Sequence, residues 1–245
     1  MTSSAVIADL APTGRLRAAI NFDNPILASK DAVTGEPGGV SAELSRELAR
    51  RLGVAVEFVP YYAAGKVVEG LQSGAWDVCY LAIDPVRAAR ISFTAPYVVI
   101  EGAYLVTEGS PIRDNTDVDR PGVRVVVSTG SAYDLFLSRE LKHAAIVRTP
   151  TAKDVVDLFV AQRLEVAAGV RPALEADARR VPGLRLLPGR FMAINQAMGT
   201  PLGRNAGARF LSDFIEEMKA TGFVARSFAR DGIVGATVAP AGAPP

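Results

Sequence analysis

The chain has 245 residues, 49% of them hydrophobic and 22% charged, which is enough to bury one large core or two smaller ones. Its formal net charge is +1, and its lysines and arginines are dispersed along the sequence, which argues against nucleic-acid binding. A single cysteine, Cys79, and a single histidine, His143, exclude an intramolecular disulfide and leave too few ligands for a transition-metal centre. We therefore expect Cys79 to be a small buried side chain, and the protein to use no metal and no cofactor.

The first residues and the apolar segments of the chain indicate in which cellular compartment the protein is expected. The first 20 residues lack the basic start, continuous apolar core and cleavage site of a secretory signal. No apolar run approaches the roughly 20 residues that a membrane-spanning helix needs. Two alternatives follow: the chain is cytoplasmic, or an export signal is missing from this sequence.

The first half of the chain alternates between predicted strands and helices. The predicted elements are a strand at 16–20, a helix beginning near Ser41, a strand at 54–61, a short helix at 65–74 and a strand at 76–83. Leucines at four-residue spacing give the first helix one buried stripe, with Ser41 as its predicted N-cap. This order predicts a parallel sheet with right-handed crossovers.

The strand–helix pattern restarts in the second half. The predicted elements are strands at 122–128 and 164–170, helices at 132–141, 151–163 (with Thr151 as cap) and 171–180, a long helix at 208–222 and a short one after it. The extended segments 93–106 and 190–200 are predicted to cross between two α/β units, and the closing residues 238–245 to be disordered. The predicted fold class is thus α/β with two lobes, each a mostly parallel sheet flanked by helices.

Four segments, taken in order, resemble one known family. They are GVSAELSRELARRLG (39–53), LQSGAWDVCYLAI (71–83), DPVRAARISFTAPY (84–97) and VRVVVSTGSAYDLF (123–136). Together they resemble the family-three solute-binding proteins, the amino-acid receptors of ABC importers, over almost the whole chain. The resemblance implies a periplasmic-binding-protein-like fold of type II with two hinge strands, lobe one at 1–98 and 196–245 and lobe two at 99–195. It also implies a periplasmic location, a monomer and an ABC permease as partner.

Arg87 is the leading candidate binding residue. It follows a buried strand and the turn Asp84-Pro85, where a parallel sheet presents its carboxyl edge to a ligand. A guanidinium can hold a carboxylate through two parallel hydrogen bonds, and the resemblance implies that this arginine clamps the ligand's carboxylate. Ala82 is expected to add its backbone N–H.

A strand–turn–helix passage supplies the second candidate group. Thr129, Gly130 and Ser131 form a turn whose backbone N–H groups are predicted to be free for an anion, with Ser131 adding its hydroxyl. Asn21 and Asn24, around the first turn, can donate and accept hydrogen bonds without charge. Tyr61 and its neighbour Tyr62 are candidates for an aromatic wall, and Glu101 lies on the first predicted crossing.

The sequence departs from the amino-acid receptors at Val170. The resemblance implies an acidic residue at this place, where it binds the ligand's ammonium group. Valine cannot neutralise an ammonium, and burying that charge unpaired costs several kcal/mol. The ligand is therefore predicted to be either amino-acid-like or an organic acid without an α-ammonium, and Arg171 next in sequence would favour a second anionic group.

Three functions remain open at this point. The first is a receptor that closes its lobes on a small carboxylate for an ABC-type importer. The second is a lyase resembling cyclohexadienyl dehydratase, with Glu101 as its acid. The third is a ligand-sensing module that acts on a partner protein. The chain contains no nucleophile elbow with a histidine and no phosphate loop, so no catalytic residue is assigned and the receptor is favoured.

Overall fold

The structure is a computed structural model that describes residues 3–242. These residues form two compact units: unit 1 comprises the described residues up to Val99 and from Asn195 onward, and unit 2 comprises Ile100–Ile194. The division inferred from sequence places the two boundaries one residue away from these. The fold is mixed α/β, as predicted.

The strands and helices have the following bounds. The strands are β1 Arg15–Asn21, β2 Ser29–Lys30, β3 Pro37–Gly38, β4 Ala55–Tyr61, β5 Val78–Ala82, β6 Ile91–Phe93, β7 Val98–Thr107, β8 Arg124–Ser128, β9 Ala145–Thr149, β10 Val166–Val170, β11 Leu184–Leu186, β12 Met192–Pro201 and β13 Ala236–Val238. The helices are α1 Ser4–Leu10, α2 Gly39–Leu52, α3 Ala64–Gly70, α4 Pro85–Ala88, α5 Ala132–Glu140, α6 Asp154–Ala161, α7 Arg171–Arg180, α8 Asn205–Ala220 and α9 Phe223–Asp231, and a 3₁₀ turn lies at Asn115–Asp117. The chain passes between the units within β7 and within β12.

Unit 1 is built on three parallel strands in the order β4-β1-β5. β12 pairs antiparallel with β5, and β6 with β12. β5 is buried along its whole length, as its continuous apolar sequence predicts for a strand covered on both faces. The leucine stripe of α2 is buried as predicted, and the helix ends at Gly53, whose φ of 71° gives the left-handed C-cap.

Two predicted N-caps are wrong. α2 begins at Gly39, so Ser41 lies inside the helix, where its carbonyl accepts a hydrogen bond from the Ser45 hydroxyl at 2.8 Å. α6 begins only at Asp154, and the hydroxyl of Thr151 donates to the carboxylate of Asp154 at 2.5 Å. Neither Ser41 nor Thr151 therefore caps the first turn of its helix, and the Thr151 side chain bonds within its own segment instead.

The closing segment is ordered where the structure describes it, which corrects the prediction of disorder over 238–245. β13 ends at Val238, Ala239 is buried, and the Ala239 N–H donates to the Tyr97 carbonyl at 3.0 Å. The Lys219 ammonium of α8 donates to the Pro240 carbonyl. Residues 243–245 lie outside the described residues. Composition alone misled here because the order comes from tertiary contacts with α8 and β7.

A buried carboxylate ties the two sequence-distant parts of unit 1 together. Asp77 is fully buried and accepts hydrogen bonds from the Arg17 side chain at 2.8 and 2.9 Å and from Arg204 Nη1 at 2.8 Å. Arg204 also donates to the Asp9 carbonyl in α1. A buried charge with several charge-assisted bonds is costly to disrupt. This Asp77 cluster (Asp77, Arg17 and Arg204) joins β1, the start of β5 and the entry to α8.

Unit 2 repeats the same plan with a continuous chain. β9, β8 and β10 run parallel, and β7 pairs antiparallel with β10. The apolar face beneath α6 and α7 packs on this sheet around Phe159, Val126, Leu105 and Leu174. Because β8, β9 and β10 are parallel, their carboxyl ends share one edge, as do those of β1, β4 and β5 in unit 1.

Candidate functional site

The carboxyl edge of unit 1 brings several predicted residues together. Asn21, Tyr61 and Ala82 end the parallel strands β1, β4 and β5, and Arg87 follows in α4. In α/β sheets, ligands bind outside the carboxyl ends of parallel strands. This edge is therefore where a ligand site is expected in unit 1.

Arg87 is buried at this edge, with 2% of its surface exposed. Its Nη1 donates to the Ala82 carbonyl at 2.9 Å. That the Ala82 N–H binds the ligand stays a prediction. Asp84 caps α4 by accepting the Val86 N–H at 2.9 Å, which fixes the short helix that presents Arg87. Burial lowers the pKa of Arg87 to about 10, and the nearby Asp84 carboxylate opposes that shift. The guanidinium remains charged at neutral pH.

The two asparagines shape the turn after β1. The Asn21 side-chain oxygen accepts the Asp23 N–H at 3.2 Å, and the Asn24 oxygen accepts the Ile26 N–H at 3.2 Å. Both are Asx-type turns, which hold the loop through the side-chain carbonyl. The side-chain NH₂ groups are therefore the parts of Asn21 and Asn24 that can serve a ligand.

The aromatic side chains at this edge differ from the expectation. The Tyr61 ring packs over α3, where a Cβ built on Gly70 would lie 2.1 Å from the Tyr61 hydroxyl, and it belongs to the core around Trp76. Burial raises the pKa of this hydroxyl. Tyr62 is 56% exposed, and its ring centroid lies 5.8 Å from that of Phe22. Tyr62 is thus the most exposed aromatic side chain at this edge, whereas Phe22 and Tyr61 are each partly buried.

A surface groove of about 510 Å³ lies against β4 in unit 1. Phe22 and Phe58 are among its walls, and the cations Lys30 and Arg46 are among its lining. Arg46 stacks on the Phe58 ring at 5.0 Å and donates to the Pro37 carbonyl at 2.7 Å. The groove shares Phe22 with the carboxyl edge but is lined by none of the residues that the sequence predicted for binding.

The turn Thr129–Ser131 lies at the carboxyl edge of unit 2, directly after β8. Its three backbone N–H groups all donate within the unit: Thr129 to the Thr149 carbonyl at 2.9 Å, Gly130 to Asp134 Oδ2 at 2.8 Å and Ser131 to the Ser128 carbonyl at 3.1 Å. The prediction that these amides are free is therefore wrong. The Ser131 Oγ accepts the Asp134 N–H at 3.0 Å as the N-cap of α5, and its own hydroxyl hydrogen remains a donor.

Asp134 organises this turn and was missed from sequence. It is 4% exposed and also accepts hydrogen bonds from Arg148 Nε at 3.0 Å and from the Ser138 hydroxyl at 3.2 Å. The signal for it was present: Ser131 and Asp134 stand three residues apart at the start of a helix, the spacing of a capping box. Here the carboxylate reaches the Gly130 amide, one residue before the N-cap.

Val170 ends β10 and stands at the N-cap position of α7, partly exposed. Glu101, the other candidate in unit 2, is ion-paired with Arg171 Nε at 2.7 Å and lies 3.5 Å from Arg190 Nη1. Arg171 also donates to the Gly189 carbonyl. The Arg171 charge is thus balanced by Glu101, which corrects the expectation that it favours a second anionic group of the ligand.

A group of three aromatic rings in unit 2 was not predicted at all. The Tyr104 and Phe191 rings stack with centroids 4.3 Å apart, and Phe136 lies 6.1 Å from Phe191. We call Tyr104, Phe136 and Phe191 the aromatic cluster. No local sequence pattern predicts it, because its members come from β7, α5 and the loop before β12 and meet only in the folded unit.

Two further side chains bear on chemistry. His143 is exposed, lies in the loop after α5 and donates its backbone N–H to Asp119 at 2.7 Å. Cys79 is buried as predicted, and burial raises its pKa to about 12, so its thiol is protonated at neutral pH.

Residues 3–242 contain no group of three or more His, Cys, Asp or Glu side chains that could hold a metal ion. Within the same range, no helix combines the length and apolarity that crossing a membrane requires.

The sequence model for bacterial extracellular solute-binding proteins, family 3, matches residues 16–230. No curated protein matches the sequence. Among solved structures, the solute receptor for L-cysteine of Neisseria gonorrhoeae is similar, with a TM-score of 0.78, 22% identity and coverage of 94% of this chain and 93% of that one.

Two other solved structures are also similar. An ancestral amino-acid-binding protein, AncCDT-1, described as a precursor of cyclohexadienyl dehydratase, has a TM-score of 0.76, 22% identity and coverage of 93% and 99%. A histidine kinase sensor domain with similarity to periplasmic binding proteins has a TM-score of 0.78, 22% identity and coverage of 91% and 97%. At such identity the likeness establishes the fold alone.

Proposed function

Because the chain belongs to the bacterial extracellular solute-binding proteins of family 3, we propose that it is a receptor that captures a small carboxylate-bearing solute for an ABC-type importer. The observation that supports this is Arg87, a charged guanidinium buried at the carboxyl edge of unit 1 and presented by a capped short helix. A buried guanidinium is a strong partner for a carboxylate because two parallel hydrogen bonds form away from competing water.

In this proposal the remaining candidate residues add further contacts to the ligand. On unit 1, the NH₂ groups of Asn21 and Asn24 serve polar portions of the ligand. On unit 2, the Ser131 hydroxyl and the Thr129 oxygen add hydrogen bonds, and Val170 contacts an apolar portion. Ligand binding favours a closed conformation of the protein, which a permease then recognises. Family membership supports this mechanism and a periplasmic location.

The state of Glu101 favours binding over catalysis. A lyase would need an acid that can give and take a proton at the substrate. Glu101 instead forms an ion pair with Arg171 at 2.7 Å and lies 3.5 Å from Arg190, so both of its oxygens already face arginines of unit 2. We therefore assign it a structural role within unit 2.

The test is the ligand affinity of Arg87 variants. Matched L-amino acids, 2-hydroxy acids and 2-oxo acids are first screened by thermal shift, and the best ligand is titrated by calorimetry. Arg87→Ala should weaken binding by about 2–5 kcal/mol, because a buried carboxylate loses its partner. Arg87→Lys should recover only part of the loss, since an ammonium cannot form the two parallel bonds.

Arg90→Ala is the matched control, because Arg90 is an exposed arginine three residues further on. It should bind like the unchanged protein. Unaltered affinity in Arg87→Ala would eliminate the proposed carboxylate clamp.

A further inference from the structure

The aromatic cluster of unit 2 depends on a glycine in β7. A Cβ built on Gly102 would lie 3.0 Å from Phe191 Cζ and 2.7 Å from Met192 Cγ, so only glycine leaves room for the Phe191 ring beside the strand. The Phe191 N–H donates to the Gly102 carbonyl at 3.0 Å, which holds the ring in this place. The ring then stacks on Tyr104, two residues along β7.

Strand register places Val170 next to this cluster. Val170 pairs with Gly102, and Ala168 with Tyr104, in the antiparallel β10–β7 ladder. Directly paired residues point to the same face of a sheet with their Cβ atoms about 5 Å apart. Val170 therefore lies beside the position that the Phe191 ring fills. Val170, Phe136 and Phe191 are each partly exposed, so this apolar surface is accessible at the carboxyl edge of unit 2.

The charged groups near this surface point elsewhere or are already engaged. Successive residues of a strand face opposite sides of the sheet, so Glu101 lies on the face opposite to Gly102 and Val170, where it meets Arg171. Asp134 is 4% exposed and pairs with Arg148. A ligand ammonium placed against Val170 would thus lose its hydration and meet valine and aromatic carbon.

We propose that the carboxyl edge of unit 2 is an apolar subsite, formed by Val170 and the aromatic cluster, that selects carboxylates with an aromatic or similar apolar body and no α-ammonium, such as 2-hydroxy or 2-oxo acids. This inference rests on the proposed function, in which Arg87 of unit 1 holds the carboxylate. It narrows the ligand class through three features of unit 2: the carbon surface, the Ser131 hydroxyl as a donor, and the lack of an available carboxylate beside Val170 among the described residues.

Three probes separate the two features of the ligand. L-3-phenyllactate and L-phenylalanine share a carboxylate and a phenyl ring and differ in hydroxyl against ammonium, whereas L-lactate lacks the ring. Calorimetry on the full chain should give phenyllactate an affinity about 100-fold or more above that of phenylalanine, because the ammonium would be buried unpaired. Lactate should bind at least about tenfold more weakly than phenyllactate, because it buries no ring.

A single substitution should reverse the selectivity. Val170→Asp adds a carboxylate beside the subsite, at a helix N-cap position where aspartate is favoured, so α7 should remain folded. Its affinity for L-phenylalanine should rise about tenfold or more and its affinity for phenyllactate should fall. Val170→Asn has the same shape without the charge and should not raise phenylalanine affinity. Phe136→Leu should weaken phenyllactate binding more than lactate binding, because only phenyllactate carries a ring.

The possible outcomes separate a failure of the proposed subsite from a failure of the proposed receptor function. If L-phenylalanine binds the unchanged protein at least as tightly as phenyllactate, and loses binding in Arg87→Ala, the subsite is overturned and the receptor stands. If the protein binds L-phenylalanine and the Asp23→Asn variant does not, the Asp23 carboxylate of unit 1 is the partner of the ammonium. That result would also overturn the proposed subsite. If phenyllactate binds with the expected selectivity but Arg87→Ala leaves its affinity unchanged, the clamp fails and the subsite stands. Binding of none of the three probes overturns the subsite.

Discussion

The carboxyl edges of the two units are built by the same strand arrangement but offer opposite chemistry. In unit 1 the edge presents a buried guanidinium, Arg87, together with amide groups of two asparagines. In unit 2 it presents carbon, from Val170 and the aromatic cluster, and its charged side chains, Asp134 and Glu101, are balanced by arginines. This contrast is the reason that we propose different roles for the two edges, with unit 1 binding the charge of the solute and unit 2 selecting its apolar part.

The units also differ in how they are held together. In unit 1, the Asp77 cluster joins Asp77 to Arg17, which lies 60 residues earlier in the sequence, and to Arg204, which lies 127 residues later. Unit 2 is continuous, and its buried carboxylate Asp134 makes contacts no more than 14 residues away. The predictions that follow test these differences, in order of decreasing size.

Asp77→Ala should lower the free energy of unfolding by about 3–5 kcal/mol, because it leaves Arg17 and Arg204 without their shared buried partner. Urea denaturation of the variant measures this loss. Glu69→Ala, which removes an exposed ion pair with Lys66 in the same unit, should cost at most about 1 kcal/mol. Equal losses in the two variants would show that the Asp77 cluster does not hold unit 1 together.

Asp134→Ala should cost about 1.5–3 kcal/mol, since the hydrogen bonds that it removes involve a charged group but its partner Arg148 is 45% exposed and can turn to water. Because the Gly130 amide loses its acceptor, the Thr129–Ser131 turn should loosen, and faster amide hydrogen exchange at Gly130 checks this directly. Asp157→Ala, in an exposed pair with Arg180, is the control. A stable variant with unchanged exchange would contradict the role given to Asp134.

Gly102→Ala should destabilise the protein by about 1–3 kcal/mol through overpacking, because the added methyl meets Phe191 and Met192. It should also lower affinity for ring-containing acids more than for small ones, since the Phe191 ring must move. Thermal unfolding and calorimetry measure the two effects. Gly109→Ala is a suitable control, because a Cβ there would meet nothing within 4 Å.

The smallest effect is a dependence of stability on acid pH. Hydrogen bonds from Arg50 and Arg51 in unit 1 lower the pKa of Glu47 to about 2 from its ordinary 4.5. A depressed pKa means that the carboxylate stabilises the fold above pH 4.5 and that this contribution is lost as the pH falls toward 2. For this partly exposed pair the loss should be about 1 kcal/mol or less. Glu47→Gln should flatten the acid limb of a stability–pH curve, whereas exposed Glu140→Gln should not.

Asp119 offers the matching measurement in unit 2. The backbone N–H groups of Ala144, His143 and Lys142 lower its pKa to about 2 from 3.8. Its contribution is likewise present above pH 3.8 and lost below it. Asp119→Asn should remove that dependence for unit 2 alone. Acid unfolding profiles that respond to neither substitution would contradict both assignments.

Sequence reasoning reached the fold because its signals are local. The leucine stripe of α2, the buried run of β5 and the restarted strand–helix pattern were sufficient for a two-unit α/β fold, and the arginine after Asp84-Pro85 was placed at the correct edge. It failed where tertiary contacts decide. The Thr129–Ser131 amides donate to Asp134 and to two carbonyls, and the Tyr61 ring packs over Gly70 of α3. The aromatic cluster brings together side chains from β7, α5 and the loop before β12, which lie far apart in the sequence.

The return of the chain to unit 1 also sets the order in which the protein can assemble during synthesis. Unit 2 ends at Ile194 and has all of its strands once that residue has left the ribosome. Unit 1 still lacks β12, α8 and the Arg204 side chain that binds Asp77. Domains fold as units as they emerge from the ribosome. Unit 2 can therefore complete its fold before unit 1, although its segment is synthesised after the first part of unit 1. Unit 1, which contains Arg87, can complete its fold only after the last fifth of the chain has been synthesised.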